Sequence, residues 1–172
     1  MDDAERTIRR LRADARSQQE DAEVVVAELA KASRTLRDAV LDHARSGHGI
    51  RIELGETWLS GTVVHVGDDL VRIVVADHTS IDVVLPAVSA LRISGGGNGP
   101  ATVSTGYPDT LLARCRELVQ TNARVEIGRC SAPPITGELQ AATGTHLEVD
   151  VGSNNRWLVP LDAVCSIRRV ER

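Results

Sequence analysis

Aromatic residues are nearly missing from this chain of 172 residues, which has no Phe, one Tyr and two Trp. A surface that reads nucleic acid by base stacking needs exposed rings, and a cage around a cationic ligand needs several. The composition speaks against both, and the core must be built from Val, Leu, Ile and Ala. Lysine is nearly absent too. Of 20 basic residues only Lys31 is a lysine, and against 24 acidic residues the formal charge is −4. A broad basic face for polyanions or anionic membranes is not expected from that balance. Three cysteines (Cys115, Cys130, Cys165), with no Cys-x-x-Cys spacing, predict small buried thiols in a reducing cytoplasm. The chain opens Met-Asp-Asp-Ala-Glu without an apolar run, so no export signal is expected. No stretch approaches the roughly eighteen apolar residues of a membrane span.

Catalytic and metal-binding patterns are missing as well. The histidines His43, His48, His65, His78 and His146 are dispersed, with no spacing that would gather them on zinc. His43 and His48 fall near a helix C-terminus, which favours a cation. His65, alternating between Val64 and Val66, is expected on a solvent face. No Gly-x-Ser-x-Gly elbow is present. The glycine-rich run from Gly95 lacks the Lys-Ser/Thr and the helix that a phosphate loop requires. Asp68-Asp69 could hold Mg²⁺ but reads first as a turn. The expectation is no catalytic residue, no metal and no cofactor, hence a protein that is not an enzyme.

What is present is periodicity. Residues 1–46 contain no Gly and no Pro, and apolar or small residues recur in a 3–4 rhythm that includes Ile8, Leu11, Val25, Leu29 and Leu36. This predicts one long amphipathic helix with a coiled-coil seam, ended by Gly47-His48-Gly49. From residue 50 the period changes to two. Ile50-Arg-Ile-Glu-Leu54, Gly61 to Val66, Val71 to Val75 and Ile81 to Leu85 read as short antiparallel strands, with a turn at Val66-Gly67-Asp68-Asp69. The uncharged, glycine-rich stretch 95–106 reads as a linker. A short helix then starts near Asp109 or Thr110, with Leu111, Leu112, Cys115, Leu118 and Val119 facing inward.

Shifted by 76 positions, residues 61–92 match 137–168 without a gap and with seven identities, among them Gly61/Gly137, Val83/Val159 and Arg92/Arg168. The predicted organisation is a helix over 1–46, a first small β-barrel over 47–94, a linker over 95–106, and a helix plus second barrel over 107–172.

The pattern Gly-x-Val-x-x-Val-Gly-x-Asp followed by strands and a Val159-Pro-Leu closing segment resembles the SH3-like/Sm-like small barrel. A charged helix entering such a barrel is similar to the layout of an uncharacterised actinobacterial family, over about residues 20–93. The resemblance implies an α+β fold of tandem small barrels, each preceded by a helix. It does not carry over an RNA site. Sm proteins place Asp and Asn around the turn after the second strand, and here Gly67-Asp68-Asp69-Leu70 has no Asn, while Thr143-Gly144-Thr145-His146 has neither. The Arg-Gly pair before the last strand is replaced by Leu91-Arg92 and Ile167-Arg168.

These readings together predict a cytoplasmic interaction or scaffold protein that self-associates through its N-terminal helix, as a homodimer or with another protein partner and with no membrane. The competing reading is an RNA- or DNA-binding regulator of gene expression. Trp58, Arg92, Arg168 and Arg169 are the candidate partner contacts. Ile8, Leu11, Val25, Leu29 and Leu36 form the association seam.

Overall fold

The computed structural model describes residues 23, 34–47, 49–94, 106–153 and 155–171. Residues 36–172 form one compact unit. Within this unit the ten strands among the described residues hydrogen-bond into a single antiparallel sheet, in the order β5 (Ala90–Ser94), β1 (Gly49–Leu54), β2 (Thr57–Val66), β3 (Leu70–Val74), β4 (Ser80–Val84), β10 (Val164–Arg169), β6 (Arg124–Arg129), β7 (Ala132–Ala142), β8 (His146–Asp150), β9 (Arg156–Pro160).

This overturns the expectation of two separate small barrels. The strands β1 (Gly49–Leu54), β2 (Thr57–Val66), β3 (Leu70–Val74), β4 (Ser80–Val84) and β5 (Ala90–Ser94) pair as a meander in which β5 returns to β1. So do β6 (Arg124–Arg129), β7 (Ala132–Ala142), β8 (His146–Asp150), β9 (Arg156–Pro160) and β10 (Val164–Arg169), with β10 returning to β6. Neither set closes on itself. β4 pairs instead with β10, Val83 opposite Ser166 and Asp82 opposite Ile167. The matched segments 61–92 and 137–168 are therefore parts of one open sheet, not independent barrel modules. The physical reason is that β4 and β10 each offer a row of backbone donors and acceptors, and pairing them satisfies both rows.

A continuous helix over 1–46 is also overturned, because Arg34 and Thr35 are not helical. The helix α1 begins afresh at Leu36 and ends at Arg45, ten residues in all. Thr35 stands in the N-cap position, with Asp38 in the first turn; both residue types favour a helix start there. Of the expected coiled-coil seam, Ile8, Leu11, Val25 and Leu29 lie outside the described residues, and Leu36 is exposed at the first turn of α1. Of the expected linker 95–106, residues 95–105 also lie outside the described residues. The second helix, α2, runs Leu111–Gln120 and is capped by Thr110, whose Oγ1 accepts from the Ala113 amide at 3.2 Å.

Alternation places the core. Ile50, Ile52 and Leu54 of β1 are buried while Arg51 is exposed. Two aliphatic clusters result, one around Ile52, Val63, Ile73 and Val83, the other around Leu118, Ile127, Leu139 and Val149. Cys165 of β10 packs in the first cluster and Val84 of β4 in the second, so the central pairing also interlocks the side chains. Two close backbone approaches need glycine. A Cβ on Gly61 would lie 2.5 Å from the Val74 carbonyl oxygen, and one on Gly137 would collide with that of Asp150. Among the described residues no helix is long and apolar enough to cross a membrane.

Candidate anion-binding cleft

The site begins with a carboxylate that alternation would have turned outward. Asp82 is the middle residue of β4, opposite Arg72 of β3, and is only 2% exposed. A buried carboxylate must be met by donors, and three side chains meet this one. Arg72 donates through Nε at 2.8 Å and through a terminal nitrogen at 3.0 Å. Arg114 of α2 donates through Nε at 2.9 Å, and the Tyr107 hydroxyl donates at 3.0 Å. Arg114 also donates to Glu117, at 2.7 Å.

Both guanidinium groups lie near the Tyr107 ring, 3.8 Å (Arg72) and 5.0 Å (Arg114) from its centroid. His65 meets the same ring edge-on, with centroids 5.0 Å apart. Burial, then the neighbouring Asp82 charge, raises the Tyr107 pKa above the ordinary phenol value. Burial alone would lower Arg114, but its hydrogen bond to Glu117 and the charge of Asp82 outweigh that and raise it.

The turn between β2 and β3 locks the start of α2 in place. The Asp68 amide donates to the Asp109 carbonyl at 2.6 Å, and Asp69 Oδ1 accepts from the Leu111 amide at 2.7 Å. From the other side Arg37 of α1 donates to the Gly67 carbonyl at 2.7 Å. Asp68-Asp69 is thus a connecting turn that docks two helices.

Beside this cluster opens a cleft of about 660 Å³, whose lining includes Arg72, Arg114, Arg168, Arg169, His78 and Ser80. Asp77 and Glu171 are at the same cleft. The Asp77 carboxylate is engaged locally: it accepts from the Thr79 amide at 2.9 Å, which holds its pKa below the usual range. Arg168 donates to Glu126 at 2.9 Å, which raises its pKa, and its Nε is buried without a hydrogen-bond partner. Arg169 is exposed at the end of β10. Four arginines from three elements converge on one concavity, a chemistry suited to carboxylate or phosphate oxygens.

Of the four partner contacts expected from sequence, Arg168 and Arg169 line this cleft. Trp58 and Arg92 do not. Trp58 lies in β2, is 42% exposed, and has the Arg51 guanidinium 4.6 Å from its ring centroid. Arg92 lies in β5 opposite Arg51, so these three side chains make a separate surface patch. Sequence reading missed Asp82, Arg72, Tyr107 and Arg114. The one available signal was an acidic residue inside the apolar run Ile81-Asp-Val-Val-Leu. Two other expectations are corrected. His65 is buried: a bulge between Val63 and His65 leaves it opposite Arg72, on the face that Tyr107 covers. Cys130 is exposed, while Cys115 and Cys165 are buried.

Among the described residues no group of three His, Cys, Asp or Glu side chains is placed to hold a metal ion. Compared with known proteins, the chain matches no family model and no curated protein.

Proposed function

We propose that the chain is a non-enzymatic interaction protein of the cytoplasm that seats an acidic segment of a protein partner in the arginine-lined cleft. The observation that carries this reading is the convergence of Arg72, Arg114, Arg168 and Arg169 on one concavity, in a chain whose overall charge is −4. A net negative protein gains little from long-range attraction to a polyphosphate, so its anion recognition is local and geometric.

The test compares two fluorescent probes on the full chain, a short glutamate-rich peptide and a single-stranded RNA of similar charge, by anisotropy at low and moderate salt. The peptide should bind, and Arg169→Glu should weaken it at least tenfold. Arg156→Glu, an exposed charge reversal on β9, should leave binding unchanged. No peptide binding at low salt, or RNA binding that is the tighter of the two and falls steeply with salt, overturns the reading.

A further inference from the structure

We infer that copies of this chain join head to tail through the two ends of the sheet, β9 of one copy pairing antiparallel with β5 of the next. The sheet is open, and among the described residues β9 pairs only with β8 and β5 only with β1. Each end leaves a row of backbone N–H and C=O groups without a strand partner, a template for another strand.

The middle of the sheet shows how two such edges meet. There β4 and β10 pair antiparallel, Asp82 opposite Ile167, and both residues are buried. β9 stands to β8 as β4 stands to β3: Leu158 is opposite Glu148 where Asp82 is opposite Arg72. β5 stands to β1 as β10 stands to β6: Leu91 is opposite Ile52 where Ile167 is opposite Ile127. The two free ends are therefore the two kinds of strand that the molecule already joins at its centre. Carrying the central register over places Leu158 of one copy opposite Leu91 of the next, and Trp157 opposite Arg92.

The side chains at these ends fit that occupant. Where Asp82 is covered, Leu158 is 63% exposed and its neighbour Trp157 is 42% exposed. Isolated exposed hydrophobics are ordinary, but two adjacent ones on an unpaired edge are not. Arg156 and Pro160, the residues that blunt an edge, stand only at the two ends of β9. On β5 the half-buried Leu91 offers Leu158 an apolar surface, and the exposed Arg92 offers Trp157 a guanidinium, the same pairing that Arg51 makes with Trp58. Because the joint unites two different strands, each added copy leaves one β5 and one β9 edge. The product is a closed ring or an open filament, not a twofold dimer.

Light scattering after size exclusion, on the full chain over a concentration series, tests this. The wild type should exceed the monomer mass. Leu158→Lys, which blocks β9, should be a monomer with an unchanged circular dichroism melt. Leu91→Lys, which blocks β5, should be monomeric too. Mixing the two monomers should restore one joint and yield a one-to-one dimer and nothing larger, because each variant keeps the edge the other lacks. If Leu91→Lys fails to fold, Leu158→Lys alone decides. A monomeric wild type, or an oligomer that Leu158→Lys leaves intact, overturns the inference.

Discussion

Asp82 accepts a two-pronged hydrogen bond from Arg72, at 2.8 and 3.0 Å, in the strand next to the one that binds β10. The carboxylate thus sits at the joint between the two sets of strands, and Arg114 reaches it from α2, a helix whose apolar side belongs to the other core.

Removing that carboxylate should be costly. Asp82→Ala would take from Arg72 the carboxylate that both its hydrogen bonds reach, and would leave Arg114, a largely buried cation, with Glu117 alone. Breaking a buried pair from one side typically costs about 3–5 kcal/mol. Asp82→Asn keeps the shape but turns an amide donor toward guanidinium donors, so it should recover only part of the loss. Urea unfolding of both variants checks the order: wild type most stable, then Asn, then Ala.

The turn that docks the helices is sterically exact about one residue. A Cβ on Gly67 would collide with the Asp109 carbonyl oxygen, a contact with backbone that cannot swing away. Gly67→Ala should therefore destabilise by about 1–3 kcal/mol, in the range of overpacking. Gly144→Ala is the contrast. Nothing stands within 4 Å of its added Cβ, so the change should be neutral or stabilising by a few tenths of a kcal/mol. Thermal melts of the pair measure the difference.

The thiols differ in accessibility. Cys130 is exposed at the turn between β6 and β7, whereas Cys115 and Cys165 are buried. Burial first, then Cys130 nearby, pushes the Cys165 thiol up to about 12 and keeps it protonated. Native protein should react with a thiol reagent at Cys130 alone, and unfolded protein at all three. Cys130→Ser should abolish the fast phase, and a fast phase that survives it would contradict the burial.

The strands were legible in the sequence because each carries its own period of two, and α2 because Thr110 and its apolar stripe are local signals. Their union was not. Asp82 and Ile167 are far apart in the chain, and pairing between strands that distant leaves no mark on local composition. The same limit explains the cleft: Asp82 looked like an outward residue of an alternating strand because its covering side chains, Tyr107 and Arg114, come from another part of the chain. His65 was misplaced for the same reason, since it lies opposite Arg72 on that face and Tyr107 packs against its ring. The long helix was overextended because the 3–4 rhythm continues through Ser33-Arg34-Thr35, where a cap residue interrupts the backbone without interrupting the apolar spacing.

The buried thiol of Cys115 makes stability depend on alkaline pH. Its environment, burial first and then the Asp82 charge, pushes its pKa from 9.0 up to about 12. The folded protein therefore holds this proton more tightly than the unfolded chain. A group whose folded pKa is raised contributes its full stability below the unfolded value and loses it as pH rises toward the folded value. The window is thus pH 9 to 12, and in it the folded state weakens by about 1.4 kcal/mol per pH unit from this group alone. Tyr107, also raised, acts in the same direction from its ordinary value of 10.0 upward. Melting temperatures should be flat from pH 7 to the start of that window and then fall by a few degrees per unit, on the scale of about 1 kcal/mol for a domain of this size. Cys115→Ala removes one titrating proton at the expense of some packing. It should melt lower at neutral pH but decline less steeply above pH 9, so the two curves converge as the solution becomes more alkaline. Parallel curves would mean that the thiol does not titrate across unfolding.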